Sequence, residues 1–245
     1  MDHLQAIAFV QKLAWTLKDA GHNYSDVEVA VFPPFTDIRS VQNLIDADKL
    51  ELKYGGQDIS QHDSGAFTGE ISGQFLSALG ASYALIGHSE RRQYHGEDDT
   101  VCAAKVAASL RNGVTPMLCI GETEAELEEF GPSAIPVRQL NAALSDIPST
   151  ADIVIAYEPV WAIGTGKVAT EEQAESVCAA IREALSTLWN ADAAARTRIL
   201  YGGSVKSGNI ANLMRQPNID GALVGGASLD VAEFASIVRY EKHVI

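Results

Sequence analysis

Cysteine is scarce in this 245-residue chain: Cys102, Cys119 and Cys178 stand far apart, odd in number, with no CxxC pair. That spacing argues against a disulfide framework and against a thiolate metal site. Cys119, inside an apolar run, reads as a small buried core residue. Basic residues are also few, 18 Lys and Arg against 32 Asp and Glu, for a net charge of −14. A chain short of cations is a poor binder of nucleic acid, although backbone N–H groups can still hold a small anion. No apolar run approaches the ~20 residues that span a bilayer. The N-terminus, MDHLQAIAFVQ, has no basic segment ahead of a continuous apolar stretch, so no signal peptide or membrane is expected and the cytoplasm is the expected location. There is no GxGxxG after the first strand-like run, where VFPPFTD stands instead. GTGK at 164–167 is no Walker A loop, because Trp161 stands where a glycine is needed and Val168 where Ser or Thr is needed.

What the chain does have is alternation. Short apolar runs at 27–32, 50–55, 83–87, 115–120, 153–157, 197–201 and 221–225 are separated by helical patterns. Most are continuous rather than alternating, as strands buried on both faces of a parallel sheet are. Helix starts are recognisable: Asp2 with Gln5, Thr170 with Gln173 and Asp230 with Glu233 each have capping-box spacing. In the first helix Leu4, Ile7, Ala14 and Leu17 are expected to face inward, with Gly21 at its C-terminal end. In the segment 124–137, Pro132 and Pro136 predict a longer irregular connection. Repeated β-then-α units without a composition break predict one α/β domain over residues 1–245 with a parallel sheet, either closed as a (β/α)₈ barrel or open and doubly wound. Seven strands are identifiable, and a helix stands in front of the first.

Barrel chemistry sits at the C-terminal ends of the strands. His88 in GHSERR follows one strand, Glu158 in EPVWAIGTGK follows another, and GGSVKSGN and GGAS follow the last two. Singly, each has a bland explanation: an ion pair for Glu158, a satisfied polar residue for His88, tight turns for the glycines. Together they supply a carboxylate base, an imidazole and glycine-rich anion loops at equivalent places in successive units. Proton transfer beside the carbonyl of a phosphorylated substrate requires that set.

At this point YALIGHSERR, CIGET, AYEPVWAIGTGK, YGGSVK and DGALVGGASL resemble the triose-phosphate isomerase family, in its order and spacing. The resemblance implies that Glu158 is the catalytic base and His88 the neutral electrophile, with Ser89 and Glu90 supporting. It implies that Gly164, Ser204, Gly225 and Gly226 bind the phosphate of a three-carbon substrate, and that 159–167 is a mobile lid. GAFTGEIS at 65–72 resembles the family's dimer loop, with Thr68 reaching toward the partner's site in a homodimer. It implies interconversion of dihydroxyacetone phosphate and glyceraldehyde 3-phosphate through an enediolate, without metal or organic cofactor. The family begins with a strand ending in Asn-x-Lys ahead of the helix that here starts after Asp2, and neither residue has a counterpart in these 245. The expectation is therefore a barrel whose N-terminal strand is absent, with a gap between 27–32 and 221–225. Two alternatives accompany it: a truncated, non-catalytic barrel acting as an interaction protein, and a Schiff-base aldolase, for which Lys53 and Lys167 lack the right context.

Overall fold

The computed structural model describes residues 1–163 and 167–243. Seven parallel strands, β1 (Ala30–Val31), β2 (Lys53–Gly56), β3 (Tyr83–Ile86), β4 (Thr115–Ile120), β5 (Val154–Tyr157), β6 (Arg198–Tyr201) and β7 (Gly221–Ala222), pair strictly in chain order. Six fall within the apolar runs of the sequence, and β2 extends one residue past the run at 50–55. The longest ladders are central: Tyr83–Ile86 against Thr115–Leu118, Met117–Ile120 against Val154–Tyr157, and Val154–Tyr157 against Arg198–Tyr201. Among the described residues β1 and β7 each have one hydrogen-bonded neighbour.

The helices are α1 (His3–Asp19), α2 (Ile38–Asp48), α3 (Gly73–Ala78), α4 (Ser89–His95), α5 (Asp99–Arg111), α6 (Glu124–Phe130), α7 (Ala134–Leu144), α8 (Glu171–Leu188), α9 (Ala191–Arg196), α10 (Ile210–Leu213) and α11 (Val231–Val238). Strand residues alternate between two cores. Ala84, Ile86, Leu118, Ile120, Ile155 and Tyr157 face the helices, while Tyr83, Leu85, Met117, Cys119, Val154 and Ala156 fill the concave side. Because both sides are apolar, the period-2 alternation is invisible in the sequence. The sheet is curled: Arg198 at the start of β6 pairs with Glu28 ahead of β1 at 3.0 Å and bonds the Tyr83 hydroxyl of β3 at 3.0 Å. Strands distant in the ladder thus meet at the N-terminal mouth, as in an α/β barrel.

Some helix expectations need correction. Asp2 and Gln5 do form a capping box, and Gly21 follows the C-cap at φ +67°. The inward face of α1, however, is Ala6, Val10, Leu13, Ala14 and Leu17. Ala14 and Leu17 face inward as expected, but Leu4 is 65 % exposed and Ile7 only half-buried, because in the N-terminal half the stripe passes through Ala6 and Val10. Thr170–Gln173 closes a full box; Asp230 caps α11, but the Glu233 carboxylate is turned to Ser207 N at 2.7 Å and Oγ at 2.9 Å. The region 124–137 is not one irregular connection. Thr123 and Glu126 cap α6, and Pro136 sits in the first turn of α7, where a missing N–H costs no helix bond.

Candidate active site

β3 delivers His88 to the C-terminal face, where it caps α4: its Nδ1 accepts the Glu90 N–H at 3.3 Å. An Nδ1 that accepts carries no proton, which places the imidazole proton of the neutral ring on Nε2. That Nε2 lies 3.0 Å from Glu158 Oε1. Glu158 follows β5, is 3 % exposed, and its other oxygen accepts the Ser89 backbone N–H at 3.0 Å. The first turn of α4 therefore holds both residues: its second N–H binds the imidazole and its first the carboxylate. Ser89 contributes its backbone rather than its hydroxyl, and the Glu90 carboxylate is largely exposed, 3.9 Å from Nδ1. Burial alone would lower the affinity of His88 for a proton, but the hydrogen bond and charge of Glu158, with the charge of Glu90, outweigh it and the pKa moves up.

A cavity of about 1260 Å³ opens at this face and runs down between β1 and β7. His88, Glu158, Ser204, Gly225 and Gly226 all line it. Gly225 and Gly226 are exposed at its rim, and a Cβ on either would meet open space. Thr68 is exposed in the 61–72 loop and does not line the cavity of its own chain. Gly164 lies outside the described residues.

The sequence motifs hid several contributors. A Cβ on Gly121 would stand 1.7 Å from the Glu158 carbonyl, and one on Gly202 would stand 3.0 Å from Glu158 Cγ. These two glycines clear room for the base, a demand made by close approach rather than by a turn. Gly121 N is held at 2.8 Å by the buried Gln139. Beside it, the buried Glu122 accepts from Tyr157 Oη at 3.0 Å and Trp161 Nε1 at 2.7 Å. Burial pushes the Glu122 carboxyl up despite those bonds. Trp161, inside the 159–167 segment expected to form the lid, is thus tied to the buried Glu122. Among the described residues no group of three or more His, Cys, Asp or Glu could hold a metal ion, and no helix is long and apolar enough to cross a membrane.

The geometry can be set beside known proteins. A family model described as Triosephosphate isomerase matches residues 1–241. A protein named triosephosphate isomerase from Leifsonia xyli subsp. xyli is 65 % identical over 245 residues, covering 100 % of this chain and 95 % of its own. Another of that name, from Streptomyces avermitilis, is 56 % identical over 98 % of this chain and 93 % of its own. A third, from Mycobacteroides abscessus, is 53 % identical over 97 % of this chain and 91 % of its own.

Proposed function

The chain belongs to the triosephosphate isomerase family, and from that premise we propose that it interconverts dihydroxyacetone phosphate and glyceraldehyde 3-phosphate, a step of glycolysis and gluconeogenesis. Glu158 removes a proton from the carbon beside the substrate carbonyl. The electron pair moves onto the carbonyl oxygen, giving an enediolate, and His88 Nε2–H donates to that oxygen. Glu158 then returns its proton to the neighbouring carbon. This division of labour is the family's established pattern, not a novelty of this chain. The phosphate falls to the backbone around Ser204, Gly225 and Gly226, with Gly164 as a further donor and the lid over 159–167 excluding water.

The observation that carries the reading is the paired hold on His88 and Glu158 by two successive N–H groups of α4. It supports a neutral imidazole: protonation at Nδ1 would set N–H against N–H at Glu90. The upward pull on the pKa comes chiefly from Glu158, and it weakens once a substrate oxygen takes the place of that carboxylate. No observation favours a non-catalytic barrel. A Schiff-base reading fares no better, since Lys53 is exposed and Lys167 faces Glu124.

We also assign a homodimer through the 61–72 loop. Arg111 Nε and Asn112 Nδ2 grip the Asp63 carboxylate at 2.7 Å each, pinning its base. Phe67 stacks on His62 with ring centroids 3.6 Å apart and stays 42 % exposed. A pinned loop with an apolar tip fits an interface better than water.

The purified chain, assayed with each triose phosphate in D₂O, should form the other and place solvent deuterium on the carbon that receives the proton. Turnover without deuterium would exclude proton transfer by Glu158 through a solvent-exchanging intermediate. No turnover by a folded chain would overturn the isomerase reading.

A further inference from the structure

We propose that Arg92 is a positioning residue for the His88–Glu158 pair, an inference that rests on the isomerase reading. Arg92 lies one turn into α4, but its guanidinium folds back under the site. Nε donates to the Gly87 carbonyl at 2.9 Å, Nη2 to the Cys119 carbonyl at 3.4 Å and Nη1 to Asp99 Oδ1 at 2.8 Å. Arg138 Nε stands 3.7 Å from the other Asp99 oxygen.

The two carbonyls have a particular place. The β3–β4 ladder ends at Ile86 opposite Leu118, so Gly87 and Cys119 are the first pair beyond it. Gly87 sits at φ +67°, where the chain kinks immediately before His88. A Cβ there would meet Cys102 Sγ at 2.7 Å and Arg92 Nη2 at 3.0 Å. One residue past Cys119, the Ile120 carbonyl accepts the Glu158 N–H at 2.8 Å. A continuous path therefore runs from the backbone under His88, through the planar guanidinium, into the strand end that carries Glu158. Three acceptors in three directions suit the fixed fork of Arg; a lysine ammonium on a flexible stem does not reproduce it. Displacements near 1 Å at reacting groups cost on the order of a hundredfold in rate. Arg92 touches neither reacting residue, so its effect appears in kcat rather than in substrate affinity.

The test compares the parent with Arg92→Lys and Arg92→Ala, reading kcat, KM and the imidazole ¹⁵N spectrum of His88. Arg92→Lys should lower kcat about a hundredfold with KM within about threefold, and the His88 ¹⁵N signals should lose the single tautomer. Millimolar guanidinium should restore kcat of Arg92→Ala by about tenfold or more, by refilling the fork, and ethylammonium should not. A kcat of Arg92→Lys within about threefold of the parent, or a folded Arg92→Ala chain that guanidinium does not rescue, would overturn the proposal. Where Arg92→Ala does not fold, Asp99→Asn takes its place: a fall in kcat at unchanged KM supports the role and an unchanged kcat removes it. A parent without turnover would sink the isomerase reading alone. The ¹⁵N spectrum of His88 then decides, an unchanged tautomer in Arg92→Lys counting against Arg92.

Discussion

Glu158 is held by two contacts, Ser89 N–H on one oxygen and His88 Nε2 on the other, with Gly121 and Gly202 closing on its main chain and stem. Such a carboxylate has little freedom to compensate for a shorter reach. Glu158→Asp withdraws the oxygens by one methylene, and steady-state kinetics should show kcat falling on the order of a hundredfold with the fold unchanged. Turnover within a factor of about two would mean the base has been misassigned. His88 and Glu158 were legible in the sequence because each directly follows an apolar run, and strand ends are where barrel chemistry gathers. Gly121 and Gly202 were not, because what forbids their side chains is the backbone and stem of Glu158, residues distant in sequence. Arg92 showed only as one charge in GHSERR; that its fork turns back onto Gly87 and Cys119 depends on tertiary structure.

At the scale of elements, α5 carries the least expected feature, a buried Lys105 whose Nζ lies 2.6 Å from both Asp58 Oδ1 and Glu97 Oε1, with Arg91 3.1 Å from Asp58. This network binds α5 to the loop after β2 and to the turn after α4, the helix that holds the site. Lys105→Met would leave two buried carboxylates facing each other with only Arg91, and breaking such a network costs about 3–5 kcal/mol, measurable by denaturant unfolding. The pH dependence follows from Glu97. Burial would raise its carboxyl, but the hydrogen bonds and charges of Lys105 and Arg91 prevail and hold it below the ordinary 4.5. A depressed carboxyl stabilises the fold above its unfolded-state pKa and loses that contribution as pH falls through the folded-state value. The stability difference between the parent and Glu97→Gln should hold constant near neutrality and shrink below about pH 4.5. A difference that grows on acidification would contradict the sign. Residue type hides this cluster: Lys105 falls on the buried face of α5 with Cys102, Val106 and Ser109, but a lysine in the sequence reads as solvent-facing. At 124–137 two prolines suggest a break in sequence, but Pro136 falls in the first turn of α7 and Thr123 caps α6, so two helices form.

Across the whole molecule, the order and number of identifiable strands were legible, but the state of the sheet's ends depends on contacts no local pattern encodes. Among the described residues each of β1 and β7 has one ladder partner; side chains, through Glu28, Arg198 and Tyr83, join across the N-terminal mouth. Dimerisation belongs to the same scale. Sedimentation at micromolar concentration should give a dimer, and Phe67→Glu a monomer, since a carboxylate at the apolar tip would be buried unpaired; a monomeric parent would refute the assignment.

The seam between β1 and β7 can be tested directly. α1 packs against both α2 and α11, the helices that follow β1 and β7, so it lies over the space between those strands. Ala6 and Val10 line the cavity there, together with Ala30, Val31, Gly221 and Ala222. In right-handed β-α succession a helix covers the strand that precedes it, so a strand joined ahead of α1 would be led into this seam, parallel to both edges. Unpaired edge N–H and C=O groups invite aggregation, and a strand pairing them on both sides would also fill the cavity beside Ala6 and Val10. An extension of about six apolar residues, the common strand length, with a short turn before Asp2, should raise Tm by several degrees, each ~1 kcal/mol giving about 2–4 °C at this size. Hydrogen exchange should slow at β1 and β7 and stay unchanged in β4 and β5, which already have partners on both sides. If Tm and edge exchange do not move, the seam between β1 and β7 does not accept a strand, and the prediction fails.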